Sequence, residues 1–383
     1  MKAARSPDVV VVGGGVIGCA VARAVSLRGM RVQVVERAIP GREATWAAAG
    51  MLAPRSEATE AGASLDLGLR SLASYPELAA ALLEESGVDV GLTLDGKLDV
   101  ALSEREAAAL RGRARSVAGL EWVEPSTLRR LEPRLSREVV GGAWAEDEGS
   151  VDSRRLARAL WLAAARAGAR FRLGIDATSV NPESKGALRV ELADGITLRA
   201  AFVVVAAGAW SGRLGGLPRA LPVRPVRGQM AAVRATEGPR HVVFGSAGYA
   251  LARGGLVLAG ATEEDAGYRD ETTAAGIAAV LGGLVRLFPD LGGAAVVETW
   301  SGLRPGSPDG APLLGPDPDV PGLWYATGHY RSGILLAPET GRVCADGIAA
   351  GVPAPVAFSP ARFGARQHPL EAVAPPVSGG PTR

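Results

Sequence analysis

The chain is poor in the residues that carry disulfide, metal and nucleic-acid chemistry. Two cysteines, Cys19 and Cys344, in 383 residues are too few for a disulfide framework, and no C-x-x-C spacing exists. Three histidines, His241, His329 and His368, stand far apart and offer no metal-ligand spacing. Lysine is confined to Lys2, Lys97 and Lys185, so nearly all of the 42 basic residues are arginine; 40 acidic residues leave a net charge of +2. That balance supplies no basic field for nucleic acid or an anionic membrane. No uninterrupted apolar run reaches the ~18 residues of a spanning helix. Lys2 and Arg5 before the apolar residues 9–22 imitate the start of a secretory signal, but Asp8 opens the run and glycines interrupt it. A cytoplasmic protein is expected, with no nucleic-acid and no membrane partner.

What is present is an ordinary globular composition, 47% hydrophobic and 21% charged. At about one domain per ~150 residues the length suits two or three domains. The first forty residues are the most legible. Residues 8–12, Asp-Val-Val-Val-Val, read as a buried parallel strand. Residues 19–28 suit a helix closed by Gly29, and residues 32–36 read as a second strand ending in an acid, Glu36. Between first strand and helix lies Gly13-Gly14-Gly15-Val16-Ile17-Gly18. Gly13-x-Gly15-x-x-Gly18 in this context is a dinucleotide-binding fingerprint: the glycines permit a tight turn, close approach of a pyrophosphate and packing of helix on strand. The helix N-terminus offers that pyrophosphate its free N–H groups. Glu36, followed by Arg37, stands where an acid accepts hydrogen bonds from ribose hydroxyls.

Residues 37–60 are small and irregular, a long loop of the kind that serves function. Within it Thr45-Trp46-Ala47-Ala48-Ala49-Gly50-Met51-Leu52 lets backbone approach a flat ligand. Helices are expected over 64–86 and 103–116 with a strand at 97–102 between them, and a further helix over 154–167. Strands over 188–192 and 197–206 flank the hairpin signal Asp194-Gly195. Strands over 222–235, 242–244, 249–252 and 256–259 suggest a mostly antiparallel sheet. A helix over 274–288, strands over 296–300 and 323–326 and a final helix over 335–350 follow. The Pro- and Gly-rich tail, 366–383, is expected to be disordered.

Three later strings carry a resemblance. Residues 202–210 run Phe-Val-Val-Val-Ala-Ala-Gly-Ala-Trp; residues 300–310 run Trp-Ser-Gly-Leu-Arg-Pro-Gly-Ser-Pro-Asp-Gly; residues 327–338 run Thr-Gly-His-Tyr-Arg-Ser-Gly-Ile-Leu-Leu-Ala-Pro. Together with the fingerprint they resemble the FAD-dependent D-amino-acid oxidase superfamily. The last string and the 45–52 loop are most similar to its glycine oxidases of the thiamine pathway. The likeness runs in order over residues 8–363. It implies an α/β fold in which a Rossmann-like FAD-binding domain (1–75, 150–215 and 315–365) interleaves with a mostly antiparallel α+β substrate domain (76–149 and 216–314).

The resemblance also implies roles. Arg304 matches the arginine that pairs with a substrate carboxylate, Tyr249 the tyrosine that roofs the pocket, Arg331 a second pocket arginine, and Met51 a residue beside the flavin. Non-covalent FAD would touch Gly13 to Gly18, Glu36, Arg37, Thr45, Ala48, Ala49, Gly50, Met51, Ala207, Gly208, Trp210 and Gly302. Gly328, His329, Tyr330, Arg331, Ser332, Gly333, Ile334 and Leu335 would wrap its ring. No metal and no catalytic side chain is implied, because the flavin takes the hydride; His329 is expected to be neither an attachment site nor a base. Trp46, Ala247 and Glu263 depart from the family pattern.

The implied reaction oxidises glycine and other small amines or D-amino acids with dioxygen to an imine. A 2-oxo acid, ammonia and hydrogen peroxide follow, and the imine can supply thiazole synthase. A homo-oligomer is the expected state. The alternatives are a sarcosine oxidase, a D-amino-acid oxidase or dehydrogenase with another electron acceptor, and a non-catalytic FAD-binding partner protein.

Overall fold

Four consecutive valines, Val9–Val12, are buried on both faces, which requires a central strand in a sheet covered on both sides. A computed structural model describes residues 6–58, 61–183 and 186–364, so the tail 366–383 lies outside the described residues. Val9–Val12 is central in a six-stranded sheet. The order is Leu313–Pro316, Leu323–Thr327, Phe202–Val205, Val9–Val12, Val32–Glu36, Arg170–Leu173. All neighbours are parallel except the first pair. Val9 and Val11 pack under the helices Val16–Leu27, Ser153–Arg166 and Gly333–Ala350. Val10 and Val12 pack instead on a three-stranded antiparallel layer, Ala177–Pro182, Leu188–Leu192 and Thr197–Ala200. This is the expected Rossmann-like arrangement. Val32–Glu36 and Phe202–Val205 flank Val9–Val12 on opposite sides, so strand order reverses there and a crevice opens past the strand ends.

A second, eight-stranded sheet is ordered Val296–Gly306, Arg224–Arg234, Leu256–Gly260, Gly248–Arg253, Val242–Gly245, Lys97–Ala101, Gly141–Ala145, Glu121–Val123. It is antiparallel except where Val242–Gly245 meets Lys97–Ala101. Helix Ala274–Leu287 covers one face, setting Val280, Leu284 and Leu287 against Val100, Val243 and Ala250. The other face carries Met230, Val242, Tyr249 and Leu251.

Several local readings need correction. The single helix over 64–86 is two, Ala63–Ala73 and Tyr75–Ser86, because Pro76 lacks an N–H and disfavours helical backbone before it. The strand over 197–206 is also two: Thr197–Ala200 closes the small layer, and after Ala201 the chain enters the large parallel sheet as Phe202–Val205. The strand expected at 296–300 continues to Gly306 and so carries Gly302 and Arg304. The helices expected at residues 19 and 335 begin at Val16 and Gly333, drawing the motif residues into their first turns. The 37–60 loop contains two helical turns, Ala44–Ala47 and Pro54–Glu57, and a two-residue strand, Met51–Leu52, paired with Gly149–Ser150.

Helix and strand meet backbone to backbone at the fingerprint. A Cβ on Gly18 would lie 1.9 Å from the Gly13 carbonyl oxygen, and one on Gly13 would lie 2.4 Å from that of Ala206. Gly18→Ala should therefore push the helix off the sheet and cost about 1–3 kcal/mol, the range of core overpacking. Thermal or urea denaturation beside the unaltered protein checks this; equal stability would mean that the helix can shift freely.

Candidate active site

Past the strand ends the two sheets enclose a cavity of about 990 Å³, at the upper end of small-molecule sites. Gly13, Gly15, Val16 and Ile17 line its nucleotide end. Gly14 and Gly18 support it from behind: the Gly14 amide donates to Glu36 Oε2 (2.7 Å), and Gly18 packs on Gly13. Glu36 lines the cavity while its Oε1 accepts from the Ala38 amide (2.9 Å). The Arg37 guanidinium stacks 3.5 Å from the Trp210 ring centroid and pairs with Glu43. Gly15 caps the fingerprint helix without a side chain, and Thr45 Oγ1 accepts from the Val16 amide instead (3.1 Å).

Ala48, Ala49, Gly50 and Met51 form one wall, and Ala207, Gly208 and Trp210 face the same cavity. Gly50 has φ +84, and a Cβ there would lie 1.9 Å from the Val151 carbonyl oxygen. Arg253 Nη2 fastens this wall by donating to the carbonyls of Ala49 (2.7 Å) and Val151 (2.9 Å). That clamp is invisible in sequence, since the partners lie 204 and 102 residues away. Trp46 does not enter the lining: its ring is sandwiched between the guanidinium groups of Arg42 and Arg154, so this departure spares the cavity.

The eight-stranded sheet supplies the opposite wall. Gly302 and Arg304 sit on Val296–Gly306, whose register sets Arg304 beside Val226 and next to Gly228. A Cβ on Gly228 would meet Arg304 Nη1 at 2.2 Å, so the guanidinium lies flat on bare backbone. Its one hydrogen bond among the described residues is to the Thr262 carbonyl (3.1 Å), leaving most of its donors unused. Tyr249 lines the cavity, stacks on Phe244 and donates to Met230 Sδ (3.3 Å). Burial pushes its phenol up to about 12, so it stays a protonated donor at neutral pH.

Phe244 rests on the buried Lys97 ammonium, 5.0 Å from its ring centroid. Lys97 pairs with Asp99, which Arg113 also holds. Behind them Glu148 accepts from the Arg55 amide (2.6 Å), and burial raises its carboxyl to about 7. Gly228, Met230, Phe244 and Thr262 were missed in the sequence; the glycine inside an otherwise continuous strand was the one available signal.

The segment before the last helix closes the site. Gly328 (φ +71) packs beneath Leu313 rather than lining the cavity, and Tyr330 takes an uncommon left-handed φ of 49. His329, Tyr330, Arg331, Ser332, Gly333, Ile334 and Leu335 all reach the lining. Ser332 makes no side-chain cap, so the N-terminus of Gly333–Ala350 presents open N–H groups to the cavity. Arg331 pairs with Glu263, which also accepts from the Tyr330 hydroxyl. Ala247 lines the cavity.

Bare glycine backbone, two helix N-termini uncapped by their own first residues, and walls of small residues fit a flavin dinucleotide. The sequence pattern of the family described as FAD dependent oxidoreductase matches residues 8–347. The chain belongs to that family. FAD is accordingly its cofactor, and Gly13, Gly15, Val16, Ile17 and Glu36 line one end of the cavity. A bifunctional protein ThiO/ThiG of Nostoc sp. is 38% identical over 348 residues, covering 88% of this chain and 52% of that one. This chain thus spans about half the length of the bifunctional relatives it matches. A glycine oxidase of Geobacillus kaustophilus is also 38% identical, covering 88% of this chain and 92% of its own. The crystal structure of glycine oxidase from that organism superposes with a TM-score of 0.88 at 36% identity, covering 95% of this chain and 99% of its own. Among the described residues no helix is long and apolar enough to cross a membrane, and no cluster of candidate metal ligands occurs.

His329 is buried, and its Nε2 lies 2.9 Å from Thr340 Oγ1. Burial pushes its imidazole down to about 3, so it stays neutral in the folded flavoprotein and is no base at neutral pH. The unfolded chain takes up a proton near pH 6.5 that the folded chain refuses until about pH 3. His329 therefore makes stability fall on acidification through that window, by up to about 1.4 kcal/mol per pH unit. Equilibrium unfolding from pH 7 to 4 should show this slope, and His329→Asn should flatten it; an unchanged slope would contradict a buried neutral imidazole.

Proposed function

We propose that this flavoenzyme is a glycine oxidase, acting in the cytoplasm on glycine and similarly small amino acids. The observation that carries the reading is Arg304, a guanidinium laid on Gly228 with most of its donors free and facing the cavity. A planar fork of that kind takes a carboxylate through two parallel charge-assisted bonds. Bound FAD would supply the two-electron oxidation at the substrate Cα, with dioxygen as the final acceptor and hydrogen peroxide as its product.

The chain's own contribution is orientation and enclosure. Arg304 holds the carboxylate and so fixes where Cα lies. Tyr249, protonated and packed between Phe244 and Met230, whose Sδ accepts its hydroxyl proton, roofs the bound amino acid. Met51 and Tyr249 limit the room beside Cα, which suits a substrate with little or no side chain. The open N–H groups of Gly333–Ala350 stabilise negative charge gained on reduction. Glycine, dioxygen and water then balance as glyoxylate, ammonia and hydrogen peroxide, through an imine that hydrolyses on release. The same imine can pass to a thiazole synthase. The joined names of the ThiO/ThiG relatives, twice the length of this chain, support that partner. The role of each site residue and the division into two interleaved domains are part of this proposal.

Peroxide release should appear with glycine, sarcosine, D-alanine and D-proline, since one methylene changes binding in an apolar pocket by only ~1–3 kcal/mol. L-Amino acids should give none. Peroxide from bulky D-amino acids but not from glycine would make the protein a D-amino-acid oxidase, and reduction of an artificial dye without peroxide would make it a dehydrogenase. Arg304→Ala should remove about 3 kcal/mol or more of carboxylate binding, raising KM at least a hundredfold. Arg304→Lys should also fall well short, because a point charge cannot replace the fork. Steady-state kinetics with glycine checks both, and wild-type KM values would remove Arg304 from the site.

A further inference from the structure

Of the arginines that line the cavity, Arg304 and Arg331 lie near Tyr249, and two adjacent residues treat them in opposite ways. Thr262 offers Arg304 a neutral backbone carbonyl (3.1 Å), and among the described residues no carboxylate pairs with it directly. Glu263, the next residue, offers Arg331 a carboxylate through Oε2 while its Oε1 accepts from Tyr330. The Tyr330 hydroxyl, with help from Arg331, holds the Glu263 carboxyl below its ordinary range, so it is ionised at neutral pH. Glu57, also on the cavity wall, adds a second negative charge near Arg331. Beside Tyr249 the site therefore presents one arginine, Arg304, without an ion-pair partner among the described residues, enough for one carboxylate.

We propose that Glu263 sets the substrate class of this site by neutralising Arg331, so that the enzyme accepts amines with a single carboxylate and rejects those with two. The proposal rests on Arg304 being the carboxylate anchor and adds the reason why a second anchor beside it stays out of use. A second carboxylate entering the cavity meets a guanidinium already paired and two acidic side chains that repel it. The pair is half-exposed, with side-chain exposures of 37% for Arg331 and 50% for Glu263, and an exposed pair is weak. Discrimination is then a matter of tens rather than thousands, and one substitution suffices to shift it.

Glu263→Gln keeps an acceptor for Tyr330 and removes the charge. In wild-type protein the kcat/KM of iminodiacetate, a glycine bearing a second carboxymethyl group, should lie at least about tenfold below that of sarcosine. In Glu263→Gln the iminodiacetate-to-sarcosine ratio should rise about tenfold, through KM rather than kcat. In Glu263→Gln with Arg331→Gln the gain should vanish, because the arginine released by the first change is gone. A readout without turnover uses acetate and malonate, titrated calorimetrically into the flavin-loaded protein. The malonate-to-acetate affinity ratio should rise about tenfold in Glu263→Gln and in Glu263→Ala, the second variant guarding against a folding defect in the first. An unchanged ratio in both variants, or a gain that survives Arg331→Gln, would overturn the proposal. Absence of peroxide from glycine with a shifted malonate preference would instead overturn the glycine-oxidase reading and leave this one standing.

Discussion

A guanidinium left without an acidic partner inside a cavity is the constraint around which this structure is arranged. Taking a charge out of water is tolerated only when something compensates it. At Arg304 the compensation is partial: one carbonyl from Thr262 and the exposed peptide of Gly228 beneath the guanidinium. Arg304 lines the cavity with most of its donors unused, and in the proposed function a substrate carboxylate completes the ion pair. Arg331 shows the other outcome. Its charge is satisfied by Glu263, and the two arginines, alike in sequence, differ in what they can still bind.

That arrangement depends on two sheets that line one cavity. The parallel sheet contributes strand ends where glycines let helix, strand and ligand backbone approach within contact distance, as Gly13 and Gly18 do. The antiparallel sheet contributes side chains that reach across: Arg304, Tyr249 and the Phe244 on which Tyr249 stacks. The first layer suits a pyrophosphate and the second a small carboxylate. Both helix N-termini at the cavity are uncapped by their own first residues, consistent with an electron-rich group lying against each. The Arg253 clamp fastens one wall, and the buried Lys97–Asp99 pair, joined by Arg113, backs Phe244 on the other.

Much of this was legible in the sequence because its signals are local. Glycine spacing, the burial of Val9–Val12 and the acid at Glu36 all lie within one β–α–β unit, where physical requirement and sequence position coincide. Arg304, Tyr249 and Arg331 became legible only through their surrounding strings, since one arginine among so many carries no signal alone. Gly228 and Thr262 were not legible: they reach Arg304 through pairing and turns set by the whole antiparallel sheet. Glu263 stood out in sequence as a departure from the family pattern, yet its meaning waited on a partner 68 residues away. The break at Ala201 was not legible because strand propensity runs straight through it while the tertiary layers require the chain to turn, whereas Pro76 was itself the local signal for the helix break.

The central claim is that flavin and amino acid share this one cavity, with the amino acid held by Arg304 for hydride loss at Cα. Anaerobic mixing with glycine tests it most directly. The purified flavoprotein should lose its visible flavin band when glycine is added without oxygen, and air should restore the band with release of peroxide. A band that glycine leaves untouched, in protein that dithionite still bleaches, would contradict the account.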